Sequence, residues 1–169
     1  MKRWTQCDHK HRWKPAGTAP AVKKTFHGRP VLPGSIQGSA AVSHVGFNTL
    51  TTYKANMPGG VTDKAICTDG DNKDLYHKDL NGVILRLPQT IGSTTGGFVL
   101  MGIAKLGLAP KAMLFANHVD SLAIGGLLMA DIWMEKRIIT VDQLGPEFLA
   151  AVNTGDPIKV SEDGTVEIG

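Results

Sequence analysis

Ser93, Thr94 and Thr95 put three hydroxyls into one turn, Gly92-Ser-Thr-Thr-Gly-Gly97. The segment before it, residues 83–87, reads as a short buried strand that Pro88 ends by removing a ladder donor. Beyond Gly97, Phe98-Val-Leu-Met-Gly-Ile-Ala-Lys-Leu106 has the length and apolar density of a helix, with Gly107 as its stop signal. The first turn of such a helix leaves backbone N–H groups unpaired and carries a partial positive charge. A carboxylate or phosphate fits there. A serine nucleophile needs a base within reach. His27, His44, His77 and His118 are available, but the spacing brings none of them to the turn. A serine can instead accept a proton if nearby N–H groups and cations stabilise its alkoxide. The same residues also make a plain helix cap, and on composition alone capping is the more frequent use of such a turn. No lysine follows the glycines and their spacing is not the dinucleotide fingerprint, which argues against nucleotide binding.

A second constellation is Asn117-His118-Val119-Asp120-Ser121, after an apolar run at 112–116. Ligands of open parallel sheets bind beyond the carboxyl ends of strands, a placement that would bring Asn117 and His118 beside Ser93. The more frequent use of such a segment, and the one favoured here, is Asp120 as a helix cap with His118 exposed. A third group, Cys7, His9 and His11, with Cys67 and His77 elsewhere, offers thiolate and imidazole ligands. Its spacing departs from known zinc patterns, so no metal is assigned to this chain. Cys67 reads as a small buried apolar residue.

The elements that must position these residues follow from punctuation and periodicity. Residues 25–34 read as a turn-rich connector, 38–43 as a first strand and 47–53 as a second, rich in Thr and aromatics. Residues 54–82 are a loop-rich excursion around a short strand at 64–67, bounded by turn signals. Strand, helix, strand, helix and strand then follow at 83–87, 98–106, 112–116, 120–130 and 137–141, a spacing that predicts parallel pairing with right-handed crossovers. Residues 157–161 and 165–168 flank an Asp-Gly turn and predict a hairpin. Antiparallel strands at both ends and a βαβαβ unit between them give an α/β fold: a three-layer β/β/α domain over 25–169, with mixed parallel and antiparallel strands.

The composition agrees with one domain. The chain has 169 residues, 42% hydrophobic and 20% charged, with 20 Gly and 9 Pro, which implies many tight turns rather than a helical bundle. No apolar run is long enough to span a bilayer, and no apolar segment follows the basic start, so a cytoplasmic protein without a membrane partner is expected. Two cysteines fit a reducing compartment. The net charge of +3 conceals a split, because residues 1–24 hold seven Lys/Arg against one Asp and the rest is mildly acidic. Residues 1–24 read as a basic arm whose Trp4 and Trp13 suggest docking on something apolar. The acidic body and the lack of any nucleic-acid motif argue against a nucleic-acid partner.

In order, Gly34-Ser-Ile-Gln-Gly-Ser-Ala40, Gly82-Val-Ile-Leu-Arg-Leu-Pro88, Gly92-Ser-Thr-Thr-Gly96, Leu108-Ala-Pro-Lys-Ala112, Leu122-Ala-Ile-Gly-Gly126 and Gly155-Asp-Pro-Ile-Lys-Val160 resemble the small subunit, or swivelling domain, of the aconitase X family. The resemblance covers residues 25–169. It implies a β/β/α swivelling domain that closes over a separate large subunit carrying an iron–sulfur cluster or iron, and a dehydration (hydro-lyase) reaction on a small carboxylate. It also implies that Ser93 is the base, and that Gly92, Thr94, Thr95 and Gly96 hold the substrate, with Asn117 and His118 nearby. Thr94 stands where serine is common in the family and Gly97 where a second serine is common. Residues 1–24 have no counterpart in the shorter relatives, and residues 43–66 match poorly. The family includes cis-3-hydroxy-L-proline dehydratase and phosphomevalonate dehydratase. A phosphate substrate favours cations near the loop, and only Lys105 and Lys111 are close in sequence, so the hydroxyproline activity is the expectation. The other expectations are the phosphomevalonate activity and a non-catalytic anion-binding or regulatory module.

Overall fold

The computed structural model describes residues 23–56 and 63–169. The basic arm, with Cys7, His9 and His11, lies outside the described residues apart from its last two positions. The strands are β1 (Lys24–His27), β2 (Arg29–Leu32), β3 (Ile36–Val42), β4 (Phe47–Asn48), β5 (Ile84–Leu87), β6 (Thr90–Ile91), β7 (Ala112–Phe115), β8 (Ile139–Asp142), β9 (Pro157–Val160) and β10 (Thr165–Ile168). The helices are α1 (Thr49–Thr52), α2 (Gly96–Lys105), α3 (Ser121–Met134) and α4 (Pro146–Ala151).

Eight strands pair in the order β1-β10-β9-β3-β5-β7-β8-β2. β3 belongs to two sheets: Ile36–Ser39 run antiparallel to β9, and Ala40–Val42 run parallel to β5. The two ends of the order, β1 and β2, are separated in the chain by Gly28 alone, whose N–H donates to Gly164 O at 3.1 Å. Strands that pass from one sheet to another in this way make the corners of two packed sheets. β5, β7 and β8 are parallel to one another, connected through α2 and α3.

Side-chain alternation divides the interior into two cores. Ile84, Ala112, Leu114 and Val141 face Ile158, Val160, Val166 and Phe148 between the sheets. Their neighbours Leu85, Leu87, Met113 and Phe115 face Val99, Leu100, Ile103 and Leu127 of the helices. Burial on both faces is why β7 reads as a continuous apolar run and β5 as one interrupted only by the buried Arg86. The three-layer β/β/α arrangement with mixed strands is the one expected from the sequence.

Several local expectations are corrected. Residues 25–34 form β1 and β2 rather than a connector, because β10 and β8 supply partners that outweigh the local turn signals. The strand expected at 47–53 stops at Asn48, whose Oδ1 accepts from Thr51 N–H at 3.3 Å and starts α1 instead. This local bond competes with the β-propensity of the threonines. The strand expected at 64–67 reduces to a single bridge between Ile66 and Asp79. β6 and α4 were not anticipated, and α3 continues past Ala130 to Met134. Cys67 is buried, as expected.

Candidate functional site

The loop carrying Ser93 is held from below. β6 pairs in parallel with β4, Thr90 opposite Phe47 and Ile91 opposite Asn48. Gly92 has φ +101°, and a Cβ there would stand 2.7 Å from the Asn48 side chain, so the turn needs glycine for both its backbone and its neighbour. Ser93 Oγ lies 2.8 Å from Thr95 Oγ1 and accepts from Thr95 N–H at 3.2 Å, while Gly96 N–H donates to Ser93 O at 2.9 Å. Thr95 is the N-cap position of α2, yet among the described residues no side chain caps that helix.

α3 begins differently. Asp120 Oδ1 accepts from Leu122 N–H and Ala123 N–H, both at 3.0 Å, and Oδ2 accepts from the Thr90 hydroxyl. Asp120 therefore caps α3 and ties β6, with the Ser93 loop, to its first turn. The two helix starts enclose a cleft of about 230 Å³ lined by Ser93, Gly92, Gly96, Thr49, Thr90 and Ile91 on one side and residues 120–123 on the other. Asp120 is the one charged residue in that lining. Lys105, in the last turn of α2, and Lys111 are exposed and do not line the cleft.

The expected site residues are thus partly brought together. Gly92, Ser93 and Gly96 line the cleft, whereas Thr94 is exposed beside it and Thr95 acts through its contacts to Ser93. Asn117 and His118 do not line it: Asp120 caps α3 and His118 is exposed, the use of this segment that the sequence favoured over a place for both beside Ser93. Asn117 Nδ2 reaches Gln89 Oε1 at 3.3 Å, and its backbone N–H donates to Pro88 O. His118 turns toward β2, where Arg29 Nη2 donates to its Nε2 at 3.1 Å and its Nδ1 donates to Val119 O at 2.8 Å. That network selects the tautomer with its proton on Nδ1.

Beneath His118, Asp142 is fully buried and accepts from Arg29 Nε at 2.9 Å, Arg29 Nη2 at 2.7 Å and Val119 N–H at 2.9 Å. Burial by itself would raise its carboxyl, but the Arg29 bonds, the Val119 N–H and the Arg29 charge outweigh this and hold it below the usual carboxylate range. Arg29, Ser121 and His118 line a second open cleft of about 510 Å³, and Ser121 belongs to both. Sequence reasoning missed Thr49, Thr90 and Arg29. The Asx cap at Asn48 was the signal for Thr49, and nothing local marked the pairing of Arg29 with a residue 113 positions away.

Among the described residues no group of three or more His, Cys, Asp or Glu side chains is arranged to hold a metal ion. The described residues do not by themselves make an iron or iron–sulfur site.

Residues 25–168 match a protein family described as the aconitase X swivel domain. The chain belongs to that family. The swivel domain resembles the phosphomevalonate dehydratase small subunit of Aeropyrum pernix, 29% identical over 143 residues, which cover 85% of this chain and 92% of that one. It is also 32% identical over 128 residues to the small subunit of the same name from Methanocaldococcus jannaschii, covering 76% of this chain and 92% of that one. A crystal structure of Thermococcus kodakaraensis aconitase X in its holo form superposes with a TM-score of 0.72 at 25% identity, over 86% of this chain and 98% of that chain. The swivel domain is therefore similar along nearly the whole length of chains named as small subunits of a dehydratase.

Proposed function

We propose that this chain is the small subunit of a two-chain dehydratase and that Ser93 is its catalytic base. The observation that carries the reading is the position of Ser93. Its hydroxyl stands in a cleft between two helix starts, held by the Thr95 N–H and Thr95 hydroxyl. In dehydration a proton leaves the carbon next to the one bearing hydroxyl, its electron pair becomes the new double bond, and hydroxide departs. Ser93, its own hydroxyl proton having left to solvent beforehand, accepts the substrate proton as an alkoxide, which the Thr95 donors and the α2 N-terminus stabilise before and during the transfer. The substrate carboxylate takes the open N-terminus of α2, beside Gly92 and Gly96. The large subunit receives the leaving hydroxide and, in this reading, holds the iron or iron–sulfur centre.

The substrate is a small hydroxy-carboxylate. The cleft lining contains a carboxylate and no cation, which supports an unphosphorylated substrate such as cis-3-hydroxy-L-proline. A second reading, phosphomevalonate, is favoured by the names of the relatives, and its phosphate would then need cations from the large subunit. Turnover of both compounds by the purified two-chain complex separates them. The first reading expects hydroxyproline dehydration and loses to the second if only the phosphorylated acid reacts. Dehydration of neither, with a complex that forms, contradicts both.

A further inference from the structure

We infer that the cleft bounded by Arg29, His118 and Ser121 is a carboxylate site, which takes the acid group of a small organic acid with an aliphatic body. This does not depend on the role of Ser93. It starts from a fixed arginine. Arg29 stands opposite Asp142 in the register of β2 and β8, and the fully buried carboxylate accepts from its Nε at 2.9 Å and its Nη2 at 2.7 Å. Nη2 gives its other N–H to His118 Nε2 at 3.1 Å. The guanidinium is planar, so these two partners lock its orientation. Both N–H groups of Nη1 are left without a partner among the described residues. The Arg29 side chain is 49% exposed and lines the cleft.

The rest of the lining suits the same ligand. Asp120 rather than Ser121 caps α3, and the Ser121 hydroxyl has no partner among the described residues. Val31 and Ile124 give the cleft an apolar wall, and no acidic side chain lines it. Its polarity is thus opposite to that of the Ser93 cleft, where Asp120 is the one charged residue. Asp142 lies behind Arg29 and balances its charge, so an anion is drawn by oriented N–H donors and not by a net positive field. That favours a monoanionic carboxylate, its oxygens accepting from Nη1 and from the Ser121 hydroxyl, over a phosphate dianion. The apolar wall favours an aliphatic body on the acid. A cross-strand ion pair alone would be served equally by lysine, which makes that substitution decisive.

The test is titration of the full chain with isobutyrate, followed by nitrogen–proton NMR, with thermal melting to verify that each variant is folded. Wild type is expected to bind with a Kd on the order of millimolar and to shift the Val31 and Ser121 amides, while neutral isobutyramide leaves them in place. Arg29→Lys keeps a charge against Asp142 but has no second nitrogen to turn outward, and is expected to bind about tenfold more weakly or worse. Ser121→Asp favours the helix start and puts a carboxylate into the cleft, so it is expected to melt like wild type and to lose binding. The inference is overturned if either folded variant binds as wild type does, or if isobutyrate moves neither amide. Shifts confined to Gly92 and Gly96 would place the acid at the start of α2, which overturns this site and leaves the Ser93 reading untouched. In the two-chain complex, inhibition by isobutyrate that substrate relieves assigns the site to the substrate's own acid end, and inhibition that substrate does not relieve assigns it to a second acid. Arg29→Lys is expected to abolish either.

Discussion

Gly97 and Gly126 bring the backbones of α2 and α3 into direct contact: a Cβ built on Gly97 would stand 2.6 Å from Leu122 O, and one on Gly126 would stand 2.3 Å from Gly97 O. The contact falls at the start of α2, immediately after the Ser93 turn, so the two helix starts that enclose the cleft are fixed to each other. It also accounts for the departure at position 97, where a side chain has no room. Gly97→Ala and Gly126→Ala are each expected to cost about 1–3 kcal/mol by forcing the helices apart. Urea unfolding measures the loss. Activity of the complex is expected to fall as well, because the cleft widens.

Asp120 holds the same cleft from the other side, capping α3 with one oxygen and taking the Thr90 hydroxyl with the other. Asp120→Ala is expected to cost about 0.5–2 kcal/mol, the usual loss for an N-cap. It also releases β6 and the Ser93 loop, so kcat is expected to fall. Asp120→Asn, which keeps an acceptor for the helix, is expected to restore most of the stability. Parallel unfolding and steady-state measurements on the two variants provide the check.

Asp142 predicts a pH dependence. Its carboxyl is held lower in the folded protein than in the unfolded chain, so it adds stability that is fully present above the ordinary carboxyl value of about 4 and is lost as pH falls through the folded value below it. Other carboxylates are lowered too, Asp74 and Asp131 among them, so the difference between wild type and Asp142→Asn isolates this residue. That difference is expected to be largest at pH 7 and to shrink below about pH 4. Urea titrations across this range decide it, and a gap that does not change with pH would contradict the assignment.

Cys67 is buried, and burial raises its thiol. Only the thiolate reacts readily. In a Cys7→Ser background, Cys67 is expected to resist iodoacetamide in the native protein and to be alkylated in urea. Labelling of the native protein at the unfolded rate would show that residues 63–82 open freely.

The layers and the Ser93 turn were legible because their signals are local. Short, mostly apolar runs at 84–87, with Arg86 as the exception, and at 112–116, bounded by Pro88 and Asn117, identify doubly buried strands, and Gly-Ser-Thr before an apolar run identifies a helix start. What was missed depends on distant partners. Residues 25–34 carry turn chemistry and become strands only because β10 and β8 lie alongside. His118 follows a parallel strand as expected and is exposed, but its contacts to Arg29 and Asp142 join residues far apart in the chain. The closure of the cleft by Thr90 and Asp120 joins residues 30 positions apart, and neither residue type announces it.

Proton removal by Ser93 is the central claim, and it is tested most directly with a substrate carrying tritium on the carbon next to the one bearing hydroxyl. Release of label to water is measured for wild-type and Ser93→Ala complexes that assemble equally well. The account predicts that release by Ser93→Ala falls by about two to four orders of magnitude, with substrate affinity little changed. Release at the wild-type rate by an intact Ser93→Ala complex would contradict it.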